Sequence, residues 1–319
     1  MPRSISLGMV VLLAAGASLA QVGAPQLGWI PDGTRIRPVY GIPAAAAIGA
    51  AVPAAADFAH ITASPSRNYV LVSAADTGIV SIYQTESGFT PLAGAGIAPD
   101  SITLSPRGSA AALWFSSINQ VQLVSGLPDS PSIRQLDASF LGSPPDALAI
   151  ADDGAWFAGA WFAGAGAAGV YTFGPNGEVN RLPIEDRVTA LAFFQGTHDL
   201  ATASAASLQW TTGLEGLAQV STLATFADSS PPAAAVAVTQ DNATVIAVDR
   251  SGLITAAQIQ TGASATLDCG CAPEGLFGIG PTAFRLTSLQ NGSIKLFDSA
   301  LTEVLYAPLA LSQDSGAAQ

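Results

Sequence analysis

Short apolar runs separated by turn residues recur along most of the chain. One copy begins at Ser101 with "SITLSPRGSAAALWFSSINQVQLVSG", which contains an alternating run, a "PRG" turn, a continuous apolar run and a third strand-like run. A fourth run, "PSIRQLDA", begins at Pro131. Apolar or alternating runs of about four to eight residues bounded by Gly, Pro, Asn and Ser are typical of β-strands. This copy therefore predicts four short strands.

The same order of runs occurs six times between residues 57 and 311. The first tight turns of the six copies lie near Arg67, Gly108, Gly154, Gly196, Asn242 and Pro281. Neighbouring turns are thus 39 to 46 residues apart. Repeats of this length with four strands each predict a β-propeller, because each small sheet has two apolar faces that only its neighbours in a ring can cover. We therefore predict an all-β fold, a β-propeller of six four-stranded blades over residues 57–311.

Residues 28–52 precede the first copy and have room for one or two more strands. We predict that residues 21–56 form an N-terminal segment that packs on the propeller or closes it. The alternative is a propeller of seven blades, with the seventh built partly from this segment. The polar and small residues 312–319 predict a disordered tail.

Two of the copies carry a resemblance to a known group. "ITLSPRGSAAALWF" from Ile102 and "LTSLQNGSIKLFD" from Leu286 resemble the YVTN/WD40-like propeller repeats of secreted bacterial proteins. The nearest match to the "YVTN" tetrapeptide is "YVLV" at Tyr69, and the nearest to a Trp-Asp ending is "LFD" at Leu296. The resemblance implies a ring of blades, an architecture often used to bind other molecules.

The third copy contains a stutter, "AWFAGAWFAGAG", over residues 155–166. Its glycines weaken a membrane helix, and a longer second strand followed by a Gly/Ala-rich turn accommodates the extra residues. Trp156 and Trp161 are five residues apart, so they point to opposite faces of an uninterrupted strand. We predict that one of them is buried between blades and the other lies nearer the surface.

Charge and the N-terminal residues narrow the setting in which the protein works. The 319-residue chain has a formal net charge of −12, with only 11 lysines and arginines and no basic run. Nucleic acid is therefore excluded as a partner. Residues 1–20 have a positive start, an apolar centre and small residues before Gln21, which predicts a cleaved signal peptide. We predict a secreted or periplasmic protein without a membrane span after cleavage, in which Cys269 and Cys271 form a disulfide.

Carboxylates precede the innermost predicted strand in several copies. They are Asp57, Asp100, Asp146, Asp186 and Glu274. In a propeller these positions lie on one face near the axis, and oxygen-rich sites suit Ca²⁺. Asp57, Asp100, Asp146 and Glu274 are therefore weak candidates for a metal site. Solubility and turn formation explain the same residues without a metal, and no cofactor is required.

The sequence offers little for catalysis. His60 precedes an innermost predicted strand, a position from which it could face the channel mouth, and His198 lies in a turn; the simpler interpretation of both is a solvated loop residue. No nucleophile motif occurs after residue 20, so no catalytic residue is assigned. We predict a non-catalytic binding or scaffold module with a protein or glycan partner. The alternatives are a structural surface component, or a lyase or hydrolase acting on a sugar or lactone with a metal at the channel mouth.

Overall fold

The computed structural model describes residues 25–162, 168–227, 231–289 and 292–310. The predicted signal peptide and the predicted tail from Ser312 lie outside these ranges. Helical structure in the described residues is limited to three 3-10 turns, Pro43–Ala45, Ser116–Ile118 and Ser139–Leu141. None of the described helices has the length and apolar character needed to cross a membrane.

Seven antiparallel sheets follow one another along the chain, numbered here as blades 1 to 7. Blade 1 has three strands, β1 (Gln26–Asp32), β2 (Arg35–Tyr40) and β3 (Ala47–Ile48). Blade 2 contains β4 (Phe58–Ala63), β5 (Val70–Ala74), β6 (Val80–Gln84) and β7 (Gly88–Pro91). Blade 3 contains β8 (Ser101–Leu104), β9 (Ala110–Phe115), β10 (Gln120–Ser125) and β11 (Ser132–Asp137). Blade 4 contains β12 (Ala147–Ile150), β13 (Phe157–Trp161), β14 (Gly169–Phe173) and β15 (Val179–Arg181).

The last three blades repeat the same meander of four strands. Blade 5 contains β16 (Val188–Phe193), β17 (Leu200–Ser204), β18 (Ser207–Thr212) and β19 (Gln219–Thr225). Blade 6 contains β20 (Ala233–Val238), β21 (Thr244–Asp249), β22 (Leu253–Gln258) and β23 (Ser264–Asp268). Blade 7 contains β24 (Phe277–Gly278), β25 (Ala283–Arg285), β26 (Ser293–Asp298) and β27 (Glu303–Pro308).

The prediction of six blades is wrong, because the structure has seven. The additional blade consists entirely of residues 26–48, from the segment that precedes the six sequence copies. The alternative of seven blades therefore describes the ring. The sequence repeat did not identify blade 1, because this blade has three strands rather than four.

The turn between the first and second strands uses the same backbone conformation in most of the four-stranded blades. The residues with positive φ at this turn are Arg67 (68°), Gly108 (71°), Gly154 (68°), Gly196 (67°) and Asn242 (58°). Glycine and asparagine tolerate this left-handed region best, which explains their recurrence at the position. Each turn reverses the chain so that the second strand can pair with the first.

Seven clusters of buried apolar side chains fill the seven junctions between neighbouring blades. The junction of blades 7 and 1 closes the ring. Its members include Leu27, Ile30, Val39 and Ile48 from blade 1, and Ile279, Ala283, Ile294 and Leu296 from blade 7. A parallel bridge between Ile48 and Leu309 joins the outer strands of the two blades. Burial of apolar area at every junction is therefore what holds the ring closed.

The two faces of the ring follow from strand direction. We call the face at which the first strand of each four-stranded blade begins the upper face. The turns between second and third strands also lie there, whereas the first turns and the turns between third and fourth strands lie on the lower face.

Blade 1 lacks an innermost strand. Its β1 starts at the lower face, where the Trp29 Nε1–H donates to the Arg67 carbonyl oxygen at 3.2 Å. It ends at the upper face, where the Thr34 hydroxyl donates to Asp57 Oδ1 at 2.9 Å. This is the direction of a second strand, not a first one. Blades 2 and 7 meet on the inner side instead, since a Cβ added at Gly278 would lie 3.6 Å from the Pro65 Cβ.

Trp156 and Trp161 pack on opposite faces of blade 4, but both are buried. Trp156 is 7 % exposed and packs between blades 4 and 5, whereas Trp161 is 1 % exposed and packs between blades 3 and 4. The prediction that one of them lies nearer the surface is therefore wrong. Both faces of a blade are covered by its neighbours, so opposite faces are equally buried. Residues 163–167 of the stutter lie outside the described residues.

Candidate functional site

A central cavity of about 440 Å³ lies on the axis of the ring. Residues of the first strands of blades 2 to 7 line it, and no residue of blade 1 does. Most of the lining is alanine, leucine, isoleucine, valine and phenylalanine. Two of its hydroxyls already bond to the next blade: Thr189 donates to the Ala233 carbonyl oxygen at 2.7 Å, and Thr62 to that of Ile102 at 3.4 Å. The wall therefore combines apolar side chains with polar groups, among which are Thr103 and Gln240.

Two of the predicted carboxylates, Asp146 and Glu274, line the cavity at its upper mouth. Asp146 accepts from the Phe162 amide at 2.8 Å and forms an ion pair with Arg187 at 2.5 Å. Glu274 accepts a hydrogen bond from the Ser288 hydroxyl, Oγ to Oε1. Its other oxygen lies 3.7 Å from the Arg285 guanidinium. Each carboxylate thus has a partner of its own.

The remaining predicted acids do not line the cavity. Asp57 is exposed and accepts the hydrogen bond from Thr34. Asp100 is exposed and accepts from the Ser116 amide at 2.6 Å, a bond that holds the pKa of this carboxyl below its usual range. Asp186 is also exposed. Within the described ranges, no three His, Cys, Asp or Glu side chains gather in an arrangement that could hold a metal ion.

Sequence reasoning did not identify Arg285, the buried cation beside the upper mouth. Arg285 lies on β25 and is 4 % exposed. Burial lowers the pKa of its guanidinium to about 10, although the nearby Glu274 opposes the shift. The guanidinium donates to the Thr287 carbonyl oxygen at 2.9 Å and lies 4.1 Å from the centroid of the Phe277 ring. "AFRLTS" reads as an ordinary strand, so no signal in the sequence marks this arginine.

A second feature of the upper face is a group of exposed apolar side chains on blades 2 to 4. Its members are Ile79, Ile97, Ile118 and Phe140, which are between 43 % and 67 % exposed. Three acids, Asp76, Asp100 and Asp137, stand in the same turns and loops. We call these seven residues the acidic–apolar patch.

Three hydrogen bonds join the loops of the patch into one surface. The Ala98 amide, next to Ile97, donates to the Gly78 carbonyl oxygen at 2.8 Å, next to Ile79. Asp100 holds the amide of Ser116, which opens the 3-10 turn that contains Ile118. The loop that carries Phe140 is tied to this turn by the Ala138 amide, which donates to the Asn119 carbonyl oxygen at 3.0 Å.

The upper-face turns and loops that carry the patch contain no basic side chain. Between residues 38 and 162 the chain has three arginines and no lysine. Arg67 and Arg107 lie in first turns, on the lower face. Arg134 donates to the Gly174 carbonyl oxygen at 3.2 Å, in a turn between third and fourth strands, which is also on the lower face. The upper-face loops of blades 2 and 3 are therefore acidic and apolar, whereas blade 4 has the exposed Arg181 at the upper end of β15.

The two histidines differ in their surroundings. His60 is half-buried on β4, near Asp100. His198 is not a solvated loop residue as expected: its Nδ1 lies 2.5 Å from Glu215 Oε1 and its Nε2 lies 2.8 Å from Asp153 Oδ2. Partial burial lowers the pKa of His198, but the hydrogen bonds to the two carboxylates outweigh burial and raise it. His198 thus ties blade 5 to blade 4 at the lower face.

The two cysteines lie in the loop that connects blades 6 and 7 at the upper face. Their sulfurs are bonded in the structure, with Cα atoms 5.2 Å apart. The Lys295 ammonium donates to the carbonyl oxygens of Cys269 and Gly270, at 3.0 Å and 2.6 Å. The arrangement fixes this loop against blade 7.

The fold and the cavity define a seven-bladed, WD40-like β-propeller. No protein-family model matches the chain, and no curated protein matches it. Solved structures do. One is a functionally unknown protein from Desulfotomaculum acetoxidans, at 13 % identity and a TM-score of 0.59, covering 88 % of this chain and 95 % of that one.

Two further solved structures are similar in fold. Virginiamycin B lyase from Staphylococcus aureus matches at 12 % identity and a TM-score of 0.56, over 79 % of this chain and 84 % of the lyase. The β-propeller domain of Cps50 (Swd1) from Myceliophteria thermophila matches at 11 % identity and a TM-score of 0.58, over 80 % of this chain and 88 % of that domain. At these identities the likeness establishes the propeller fold alone.

Proposed function

We propose that this propeller is a non-catalytic binding module whose acidic–apolar patch binds a basic, amphipathic segment of a partner protein. The observation that supports the proposal is the continuity of four exposed apolar side chains with three carboxylates on upper-face loops that contain no lysine or arginine. Exposed apolar groups of this kind mark interaction sites, and the surrounding charge selects the sign of the partner.

The charges of the patch are fixed by local hydrogen bonds. The Ser116 amide lowers the pKa of Asp100, and hydrogen bonds from Ser139 lower the pKa of Asp137. Both carboxylates therefore stay ionised when the solution becomes moderately acidic. Their attraction for a basic partner is screened by salt, so binding should weaken as ionic strength rises.

The proposal also has the protein exported from the cell, as secreted or periplasmic. The composition of residues 1–20 supports export, and so does the pairing of Cys269 with Cys271, since disulfides persist in oxidising compartments. A protein partner is favoured over a glycan because the patch presents isoleucines with a single aromatic ring.

Selection of displayed random peptides on the immobilised protein tests the function. We expect the selected peptides to combine Lys or Arg with Leu, Ile or Phe. Their affinity should fall at least about tenfold in the double variant Ile97→Asp/Ile118→Asp and in Asp76→Lys/Asp137→Lys, because these changes remove the apolar contact or reverse the charge.

The lower face provides the matched control. Leu217 is 90 % exposed there, and Glu86 lies in a turn of the same face. Leu217→Asp/Glu86→Lys makes the same kinds of change and should leave binding unaltered. Acidic or purely polar peptides among the binders, or equal losses in the upper-face and lower-face variants, would refute the proposal.

A further inference from the structure

We propose that the central cavity is a second binding site, which takes a small, uncharged molecule that combines an apolar body with hydrogen-bonding groups. The cavity of about 440 Å³ falls within the range of small-molecule sites, which is about 300–1,000 Å³. It is separate from the acidic–apolar patch, because none of the seven patch residues lines it.

The wall offers a ligand both apolar contact and hydrogen-bonding groups. The hydroxyls of Thr62 and Thr189 donate to carbonyl oxygens of neighbouring blades, so they already have partners. Alanine and larger apolar residues make up most of the remaining lining residues, and Thr103 and Gln240 add polar groups. A ligand in the chamber therefore gains from leaving water and from contact with hydrocarbon, and its polar groups can bond to these two side chains.

The charges at the mouth favour a neutral ligand. Asp146 and Glu274 stand at the upper mouth, and the chain as a whole carries a net charge of −12. An anion entering the chamber meets this field and loses its hydration. A cation is attracted to the mouth, but it must also lose its hydration among apolar side chains. The two carboxylates do not compensate for this loss, because each already has a partner. Only a neutral molecule avoids both penalties.

Aromatic side chains of blade 7 form one side of the cavity wall. Phe277 and Phe284 both line the cavity, and the buried Arg285 guanidinium holds the Phe277 ring at 4.1 Å. An aromatic ring fixed in this way offers a surface for a flat apolar ligand. The ligand class therefore includes neutral aromatic molecules.

Fluorescence titration with a matched pair of dyes tests the site. N-phenyl-1-naphthylamine is neutral, and 8-anilino-1-naphthalenesulfonate has the same ring system with a sulfonate. We expect the neutral dye to bind one per chain, at least about tenfold more tightly than the sulfonate. No saturable binding of the neutral dye, or equal binding of both dyes, would overturn the proposal.

Variants that fill the cavity locate the bound dye. Thr103 and Ala234 are half-buried lining residues on blades 3 and 6. Thr103→Phe and Ala234→Phe should each lower the affinity for the neutral dye at least about tenfold. Thr90→Phe, on the exposed strand β7, makes the same change outside the cavity and should leave the affinity unaltered. Equal affinity in all three variants would place the dye elsewhere and overturn the proposal.

A measurement on the wild type keeps the test decisive if a phenylalanine variant does not fold. Methyl NMR of protein labelled at alanine should show the largest shifts with the neutral dye at cavity alanines such as Ala147, Ala192 and Ala234. Shifts confined to alanines outside the cavity would overturn the site. A dye bound at the exposed apolar side chains of the patch would keep its affinity in Thr103→Phe and Ala234→Phe, so these variants distinguish the cavity from the patch.

Discussion

Asp152 is the side chain whose removal should reveal how the lower-face turns stabilise the ring. It lies in the first turn of blade 4, with its side chain 9 % exposed. Its Oδ1 accepts from the Arg107 amide of blade 3, and its Oδ2 accepts from the Gly196 amide of blade 5, both at 2.7 Å. One carboxylate therefore joins three consecutive blades, and we expect Asp152→Ala to destabilise the whole ring.

The magnitude follows from the two charge-assisted hydrogen bonds. Each contributes about 1.5 kcal/mol, the lower end of the range for charged acceptors, because water can reach these surface turns after the substitution. The expected loss is thus about 3 kcal/mol. For a chain of this length 1 kcal/mol shifts the Tm by roughly 1.5 °C, so the Tm should fall by about 4–5 °C.

Thermal unfolding followed by near-ultraviolet circular dichroism measures the effect. Asp152→Asn should lower the Tm nearly as much as Asp152→Ala does. The asparagine amide nitrogen would face a backbone N–H donor, so only one acceptor would remain for the two amides. Asp129→Ala removes an exposed carboxylate from another lower-face turn and is the matched control. A fall of less than about 1 °C in Asp152→Ala, or a fall equal to that of Asp129→Ala, would refute the reasoning.

Two further predictions concern the lower face and the turns. Thermal melts across about pH 5–9 should show a higher Tm for wild type than for His198→Gln, with the largest difference below pH about 6.5. The difference should disappear as the pH rises through the raised pKa of His198, because only the imidazolium donates to both carboxylates. A difference in Tm that does not depend on pH would contradict this. Gly108→Ala should reduce the free energy of unfolding by about 1–3 kcal/mol more than Gly142→Ala does, and should therefore have the lower Tm. Both positions have positive φ, 71° and 68°, but only at Gly108 would a Cβ overlap the Ser64 hydroxyl, so equal losses would show that the overlap is relieved.

The four-stranded repeats could be predicted because their signals are local. The first turns were placed from sequence at Gly108, Gly154 and Asn242, and these residues have the positive φ that such turns require. Blade 1 could not be counted in the same way. Residues 26–48 join the ring through contacts with blades 2 and 7, and they carry no first strand that would repeat the pattern.

In the candidate site, too, features set by neighbouring residues could be predicted from sequence, whereas contacts between residues far apart in the chain could not. Sequence position placed Asp100 and Asp146 on the upper face, because both precede a first strand. It could not predict their partners, since Arg187 lies 41 residues from Asp146. The acids precede strands of different blades, and among the residues that the structure describes no three His, Cys, Asp or Glu side chains gather in an arrangement that could hold a metal ion. The exposed isoleucines of the patch come from separate turns and were not singled out.

The missing strand of blade 1 connects the architecture with the cavity. A seventh inner strand would stand between Pro65 and Gly278, which instead approach each other directly. Seven blade junctions therefore close the outer ring, but only six inner strands surround the axis. With six inner strands the channel is narrower than it would be with seven. A narrow channel lined by alanine leaves room for a small molecule but none for a folded segment of a protein. The protein partner that we propose would therefore bind outside the channel, at the acidic–apolar patch of the upper face.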